Sequence, residues 1–513
     1  MSSASSVTPY QSRLISHALS VTLLAATLLA GCAVAPLQPL SPAQQAKDQC
    51  GEVFRRVDGA VAESGVADGM GARVAGFPYL RVNRFLASYA RGELSDPQYG
   101  EWMDRMIAIG AEARALELAN LSAAAAARLA SGLRAIDARF TRTESALAEC
   151  AALLAAFDRA DPGRRAELMG TARVPDEYLA WQRIVGLYWL TRVPFSHGVR
   201  SWHESVRAEF ARPLAELAVA GKLNAYVPPR GRLVAGEVAA LLERASVNAL
   251  GIPEPRGQAL EALYRTYAPE FVVDTVGAAD HPGALGWAGG EAPEILGGGP
   301  FVYRRLSHTR YGGRPLLQLN YSIWFPERPK TAGWNILGGR LDGVLWRVTL
   351  APDGTPWVYD SIHLCGCYHQ FFPTARAAPK AREETFDEPA LIPQVLPRVA
   401  PGARVMLRFE AGTHYLQRVV VGSGSPDPAI EYAFADDDTL RSMPLPQGGR
   451  RSAFRPDGIV PGSERGERFL FWPMGMPEPG AMRQWGRHAT AFVGRRHFDD
   501  PGLLERYFIL ENK

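Results

Sequence analysis

Two histidines and two cysteines alternate within seven consecutive residues, the densest group of chemically reactive side chains in the chain. The segment reads H-L-C-G-C-Y-H from 363 to 369 and continues an aromatic and β-branched run that begins at 357. Successive side chains of a β-strand point to opposite faces, so a continuing strand would place all four on the same face. The four are His363, Cys365, Cys367 and His369. Imidazole and thiolate groups are ligands that suit zinc or copper.

One metal ion cannot bind all four side chains on a straight strand. A strand rises ~3.3 Å per residue, so the two histidines would lie ~20 Å apart. Either Gly366 introduces a turn or bulge that brings the ligands together, or one adjacent pair, such as His363 and Cys365, binds with help from another strand. His414 and His488 are the candidates for that help.

Two further interpretations of the Cys-Gly-Cys pair need no metal. Cys365 and Cys367 can form a disulfide, because a kink at Gly366 would bring their Cα atoms within the limit of ~6.8 Å for such a bond. The cysteines and histidines of this segment can also simply pack together, with neither a metal ion nor a disulfide. The sequence therefore predicts a zinc or copper site, a redox or structural disulfide, or a packed cluster. The candidate metal ligands are His363, Cys365, Cys367, His369 and His414.

Other patterns that could support catalysis are incomplete. His203-Glu204 begins like a zinc-protease helix, but that motif requires a second histidine at position 207, where the chain has arginine. The chain has no Gly-x-Ser-x-Gly elbow and no phosphate-binding loop that ends in Gly-Lys-Ser/Thr. An enzymatic alternative uses Cys365 or Cys367 as a nucleophile, with a histidine of the same segment or His414 as the base, for acyl transfer or thiol chemistry.

The elements that would position these residues change type near residue 268. Ser41, a capping hydroxyl, precedes Pro42, and from there to about 268 alanine- and leucine-rich stretches have helical spacing. From 269 onward, aromatic and β-branched residues alternate with polar ones. The sequence predicts an α+β fold, in which an all-helical domain (43–268) precedes a mainly antiparallel β-domain (269–513) of sandwich or barrel-like form.

Several strands of the β-domain are predicted from this alternation, with a hairpin turn at 351–354 and a short helix near 500–507. The predicted strands are 316–325, 344–350, 405–409, 414–421, 430–434 and 468–472.

The first 32 residues have the features of an export signal. Arg13 is the one formal charge among the first forty residues, and the apolar stretch 18–30 is shorter than the ~20 residues needed to span a bilayer. This stretch ends in L-A-G-C at 29–32, which resembles the lipobox of a bacterial lipoprotein precursor. The resemblance implies a signal peptide over 1–31, acylation of Cys32 and a proline-bearing tether over 32–42.

The residue after the lipobox cysteine bears on location. Ala33 is not the aspartate associated with retention in the inner membrane, so the resemblance favours the outer membrane, with the protein facing the periplasm. The net charge is only +3, and a nucleic-acid-binding protein normally has a basic stripe. We therefore expect the membrane as a partner through the lipid anchor, an envelope protein or a glycan as a further partner, and no nucleic acid.

Four cysteines remain once Cys32 is acylated, and an oxidising periplasm permits disulfides between them. Cys50 and Cys150 both lie in the helical half, far from the Cys-Gly-Cys pair. We therefore expect a Cys50–Cys150 disulfide, with two buried free thiols as the alternative. The leading functional prediction is an envelope binding protein with a metal or thiol site. An envelope enzyme and a glycan-binding or structural protein are the alternatives.

Overall fold

Helices fill most of the chain up to residue 267, and strands predominate from residue 270 onward, so the predicted α+β class is confirmed. The computed structural model describes residues 41–330, 335–381, 386–422 and 424–511. Cys32, the predicted signal peptide and residues 33–40 of the predicted tether lie outside these ranges. Contacts divide the chain after Gln49, and the residues from Cys50 onward form one compact unit.

The helices are α1 (Pro42–Glu63), α2 (Arg84–Ala87), α3 (Asp96–Ala119), α4 (Ala123–Ile136), α5 (Thr143–Ala160), α6 (Pro162–Thr171), α7 (Ala180–Val185), α8 (Tyr188–Ala211), α9 (Ala235–Ala245), α10 (Gly257–Tyr267), α11 (Arg468–Phe471) and α12 (Leu503–Tyr507). Short 3-10 helices cover Ser88–Arg91, Leu214–Glu216, Ala278–Asp280, Asp437–Arg441 and Trp472–Met474.

The strands are β1 (Ala72–Val74), β2 (Phe77–Val82), β3 (Lys222–Val227), β4 (Glu270–Thr275), β5 (Ala284–Gly286), β6 (Glu294–Leu296), β7 (Phe301–Tyr311), β8 (Arg314–Arg328), β9 (Gly339–Leu350), β10 (Pro356–His363), β11 (Gln370–Pro373), β12 (Ala377–Pro379), β13 (Val405–Phe409), β14 (Leu416–Val421), β15 (Ala429–Glu431), β16 (Ala433–Asp436), β17 (Met443–Pro444), β18 (Arg450–Arg451) and β19 (Phe508–Leu510).

The described part of the first unit begins with a capped helix start. Pro42 is the first helical residue, and the Gln44 amide donates to the Ser41 hydroxyl across 3.2 Å. A serine oxygen here accepts one of the amide hydrogens that lack a partner at a helix start, and proline has no such hydrogen. The helix start predicted at Ser41-Pro42 is confirmed.

The helices before residue 172 pack around the small hairpin of β1 and β2. Trp102 of α3 and Phe77 of β2 are completely buried in this core. Gly110 allows α3 to lie close to β2, because a Cβ atom there would be 2.5 Å from the Tyr79 carbonyl oxygen.

A disulfide closes this helical part. It joins Cys50 of α1 to Cys150 of α5, which is the pair selected from the sequence. Both cysteines are buried.

Most strands of the β-rich part belong to two open sheets. The larger sheet has the order β11-β10-β9-β8-β7-β16 and is antiparallel except between β7 and β16. The smaller has the order β14-β13-β4-β3-β15, with parallel pairing of β13 with β4 and of β3 with β15. Side chains from both sheets and from α8 to α10 form one hydrophobic core. Neither sheet closes on itself among the described strands, so the barrel-like alternative is wrong and the sandwich-like one fits.

Strand β3 links the two parts of the chain. It lies within 43–268, for which helices were predicted, as do β1 and β2. It pairs antiparallel with β4, so that Ala225 lies opposite Val272. The segment before residue 268 therefore supplies a strand to the smaller sheet.

Buried ion pairs also connect the helical and β-rich parts. Arg441 forms a bidentate pair with Asp68, with Nε–Oδ1 and Nη2–Oδ2 distances of 3.1 and 2.6 Å. Arg84 Nη1 lies 3.0 Å from Asp499 Oδ1. Bidentate pairing fixes the orientation of both partners. Within the residues that the structure describes, no helix combines the length and apolar character required to cross a bilayer.

One predicted strand is a helix. The run predicted as a strand at 468–472 forms α11 and the start of the following 3-10 helix, and the Phe471 amide donates to the Glu467 carbonyl across 2.8 Å. A short apolar run does not distinguish a strand from a helix by periodicity, which explains the error. The strands predicted at 316–325, 344–350 and 405–409 are confirmed by β8, β9 and β13, and the short helix near 500–507 by α12.

Candidate functional site

The His/Cys segment forms a hairpin turn rather than a continuing strand. β10 ends at His363 and β11 begins at Gln370. The Gly366 amide donates to the His363 carbonyl across 2.7 Å, and the His363 amide donates to the Cys367 carbonyl across 3.0 Å. Gly366 has a φ of +92°, and a Cβ atom there would be 2.7 Å from the Ala489 carbonyl oxygen, so this turn requires glycine. The strand therefore does not continue over 363–369, and a turn is present at Gly366, one of the alternatives that the sequence left open.

The hairpin separates its two histidines. The His363 ring lies beside the Tyr368 ring, with centroids 4.9 Å apart. The next residue, His369, points to the opposite face, where its Nε2 lies 2.9 Å from Asp360 Oδ2. His363 and His369 therefore belong to two different clusters.

On one face, Asp342 of β9 lies between two histidines. Its Oδ2 is 2.9 Å from His414 Nδ1, and its Oδ1 is 3.4 Å from His363 Nδ1. The other ring nitrogen of His414, Nε2, is 3.4 Å from Asp280 Oδ1. The His414 ring stacks on Phe325 with centroids 3.8 Å apart. The structure thus brings together two predicted candidates, His363 and His414, around a carboxylate that was not predicted.

The charges of this cluster follow from its contacts. Burial would raise the pKa of Asp342, but Arg465 and His363 outweigh burial and hold that pKa well below 3.8. Arg465 Nη2 lies 3.2 Å from Asp342 Oδ1. Burial would lower the pKa of His414, but Asp280 and Asp342 outweigh it and raise that pKa above 6.5. Burial lowers the pKa of His363 in spite of Asp342. The cluster therefore favours a charged His414 and a neutral His363.

A second ion cluster lies on the opposite face of the hairpin. Arg347 of β9 and Asp360 of β10 are cross-strand partners, and Arg347 Nε donates to Asp360 Oδ1 across 2.8 Å. His369 Nε2 lies 2.9 Å from the same carboxylate. The other ring nitrogen, His369 Nδ1, lies 3.3 Å from Thr490 Oγ1. Burial lowers the pKa of His369 to about 4. Both ring nitrogens of His369 have a polar partner. The cluster therefore stabilises the packing of β10 against β9 and against the segment around Thr490.

Cys365 and Cys367 form a buried pair of free thiols in the turn. The Cys367 thiol donates a hydrogen bond to the Cys365 sulfur, which lowers the pKa of Cys365 and raises that of Cys367 well above 9.0. The positive charge of Arg465 lowers the pKa of Cys365 further. Cys365 is therefore the thiol that ionises first, and Cys367 stabilises its thiolate.

Glu467 is a buried carboxyl group whose charge acts on both thiols. Burial raises the pKa of Glu467 to about 7, and its negative charge raises the pKa of Cys365 and of Cys367. Gly480 leaves room for this carboxyl group, because a Cβ atom at Gly480 would be 2.1 Å from Glu467 Oε1. A carboxyl group that titrates near neutral pH can accept a proton from a thiol and return it.

The histidines that were predicted as ligands contact groups other than the two thiols. His488 Nε2 is 3.2 Å from the Leu364 carbonyl oxygen, and burial lowers the pKa of His488 to about 4. In the described part of the chain, no group of three or more His, Cys, Asp or Glu side chains is placed to hold a metal ion. The five predicted ligands are distributed over the Asp342 cluster, the thiol turn and the Asp360 cluster.

No protein-family model, curated protein or solved structure matches this chain. The functional inference therefore depends only on the sequence and on the geometry of the site.

Three residues at this site have a left-handed backbone that residues other than glycine rarely adopt. They are Leu341, Tyr368 and His414, with φ values of 55°, 61° and 52°. Such a conformation costs on the order of 1 kcal/mol and persists where surrounding contacts enforce it, often at functional sites. Leu341 precedes Asp342 and Tyr368 follows Cys367, so the strain lies next to the groups described above.

Asp342, Arg465 and Glu467 were not identified from the sequence. Asp342 had a local signal, since it is the one acidic residue in the otherwise mostly apolar strand β9 and a buried charge requires a partner. Arg465 and Glu467 lie in a polar run, S-E-R-G-E-R at 463–468, that has the composition of an exposed loop. No local pattern marks these two residues as partners of the thiols.

Proposed function

We propose that this protein is an outer-membrane lipoprotein that faces the periplasm and uses Cys365 and Cys367 as a redox-active dithiol. The observation that carries the proposal is the placement of two free, buried thiols, Cys365 and Cys367, on either side of Gly366 in one tight turn. The hydrogen bond between them lowers the pKa of Cys365 and raises that of Cys367. The reactive species in disulfide exchange is the thiolate, so one ionised thiol beside one protonated thiol is the required starting state. The lipobox at 29–32 supports the location.

The reaction that suits this pair is exchange with a disulfide, RSSR. The Cys365 thiolate attacks one sulfur of RSSR, forms a mixed disulfide and releases RS⁻. Cys367 then transfers its proton to the released RS⁻ and attacks the Cys365 sulfur, which releases the second RS⁻ and forms the Cys365–Cys367 bond. The protein loses two electrons and RSSR gains them, so the step balances. Reduction of the pair reverses the same steps.

The burial of the pair restricts the partner. Cys365 and Cys367 are only 3% and 6% exposed, so the disulfide group of a folded protein does not reach them. The partly exposed rings of Tyr368 and Trp202 pack beside the turn with centroids 5.1 Å apart. A low-molecular-weight disulfide, which needs only a small displacement of these rings, is the substrate class that fits.

The test exposes the mature chain to glutathione buffers of graded redox ratio and counts free thiols by alkylation and mass spectrometry. The free thiols of Cys365 and Cys367 should disappear together on oxidation and reappear together on reduction. The Cys50–Cys150 bond should stay intact and serves as an internal control. Cys367→Ser should accumulate a mixed disulfide with glutathione at Cys365. Cys365→Ser should react at least ~10-fold more slowly, because burial and the negative charge of Glu467 still raise the pKa of Cys367.

Independent modification of the two thiols, or equal rates for the two variants, would contradict the dithiol proposal. One equivalent of zinc or copper that is bound by the wild type and lost in both variants would establish the metal site instead. Location is tested separately with Cys32→Ser, which should abolish lipidation. A Cys32→Ser chain that still matures and fractionates with the outer membrane would contradict the anchor.

A further inference from the structure

Exposed apolar side chains are concentrated in two short segments of the surface. Of the twenty large apolar side chains that are exposed among the described residues, nine lie at 181–193 or 469–470. Ile184 and Phe469 are 74% and 72% exposed. Both exposed tryptophans of the described residues belong to this set. The nine are Trp181, Ile184, Val185, Leu187, Trp189, Leu190, Val193, Phe469 and Leu470.

The two segments form one continuous surface. The Leu179 amide, just before α7, donates to the Gly475 carbonyl across 2.7 Å. Gly186 lies directly on Pro473, because a Cβ atom at Gly186 would be 2.6 Å from Pro473 Cβ. Phe195 of α8 packs edge-on against Phe471 of α11, with ring centroids 5.5 Å apart. The nine exposed side chains therefore define a single apolar face, formed by α7, the start of α8 and α11.

The connection between α7 and α8 is strained in a way that serves this face. Leu187 has a left-handed backbone, with a φ of 48°, and its side chain is about half exposed. Glycine would adopt this conformation without strain, and burial gives leucine no compensation here. Leu187 thus keeps an apolar side chain exposed at a strained position of the apolar face.

The charged side chains on the two segments include several arginines, while Asp387 and Glu388 lie nearby and line a cavity together with Arg183 and Arg192. Residues 180–203 contain Arg183, Arg192 and Arg200 and no aspartate or glutamate, and α11 adds Arg468. Phosphate groups of a lipid bilayer supply the opposing charge, and tryptophan and arginine beside aliphatic residues are typical of elements that lie at a membrane interface.

We propose that the apolar face docks on the surface of a bilayer that contains anionic phospholipid. The nine side chains enter the boundary between headgroups and acyl chains, and Arg200 and Arg468, which are exposed or partly exposed, contact phosphates.

The test uses the non-acylated chain from Ala33 onward, which retains every described element and lacks the apolar leader. Vesicles of phosphatidylethanolamine and phosphatidylglycerol, and vesicles of phosphatidylcholine alone, are floated with the protein. The wild type should float with the anionic vesicles, less so at high salt, with a blue shift of tryptophan fluorescence. Ile184→Asp and Phe469→Asp should each reduce binding at least ~10-fold, because each places a charge in the apolar boundary.

Val247→Asp is the matched control, since Val247 is 85% exposed and lies outside the apolar face. It should bind as the wild type does. Absence of flotation of the wild type, or equal flotation of all three variants, would overturn the proposal. A concentration-dependent dimer that Ile184→Asp dissociates, without vesicle binding, would show that the face joins two copies. Failure of lipidation at Cys32 or of thiol exchange affects none of these readouts, because the protein used here has neither a lipid nor a need for reactive thiols.

Discussion

Replacing Glu467 by glutamine is expected to stabilise the folded protein above neutral pH. Burial raises the pKa of Glu467 from 4.5 to about 7, so between these values the unfolded chain releases its proton while the folded chain retains it. Folding stability therefore falls as the pH rises through this window, by ~1.4 kcal/mol per pKa unit. The loss amounts to about 3 kcal/mol, and Glu467→Gln, which keeps the shape and removes the ionisation, avoids it.

Urea unfolding of the wild type and of Glu467→Gln, followed by tryptophan fluorescence, measures this effect. The two proteins should differ little near about pH 4, and the variant should be more stable by about 3 kcal/mol near about pH 8. Glu431→Gln is the control, because it removes an exposed carboxylate of β15. Parallel pH profiles for the wild type and Glu467→Gln, or a less stable variant near pH 8, would refute the assignment of Glu467 as a buried acid.

Two further substitutions test the supports of the fold. The double variant Cys50→Ala/Cys150→Ala should lower the free energy of unfolding by roughly 4–5 kcal/mol, because the bond joins residues separated by 100 positions; an unchanged Tm in thermal unfolding would contradict this. Asp342→Asn should destabilise the protein by roughly 3–5 kcal/mol, since it leaves buried Arg465 and His414 without their shared carboxylate. Urea unfolding of Asp342→Asn measures this loss, with Asp457→Asn, at an exposed position, as the control. Equal unfolding midpoints for the two variants would show that the Asp342 cluster does not stabilise the fold.

Local signals predicted the elements whose conformation is determined locally. The hairpin turn at 351–354 is present, with the Ala351 amide donating to the Thr355 carbonyl across 2.8 Å and Gly354 at a φ of 78°. The cap at Ser41 and the alternation that predicted β8 and β9 are of the same kind. In each case the residues that enforce the conformation are neighbours in the sequence.

The candidate site could be predicted only in part, because its partners come from distant segments. The spacing of His363 and His369 gives a common face only on a straight strand, whereas Gly366 turns the chain and the hairpin places the two rings on opposite faces. Pairing with β9 then brings Asp342 to His363, and the loop before α11 brings Glu467 to the thiols. The thiol alternative was available from Cys365-Gly-Cys367, but the groups that set the thiol pKa values were not.

The position of the disulfide has a mechanical consequence. With the proposed lipid anchor at Cys32, any pulling force would enter the protein through the start of its chain, along α1. Cys50 is the first residue of the compact unit, and its bond to Cys150 ties α1 to α5 at that point. Tension that enters along α1 therefore reaches a covalent link before it acts on helix packing, so α1 cannot be peeled from α5 while the bond is intact. Under the proposed anchoring, the disulfide would transmit such a force directly from α1 to α5.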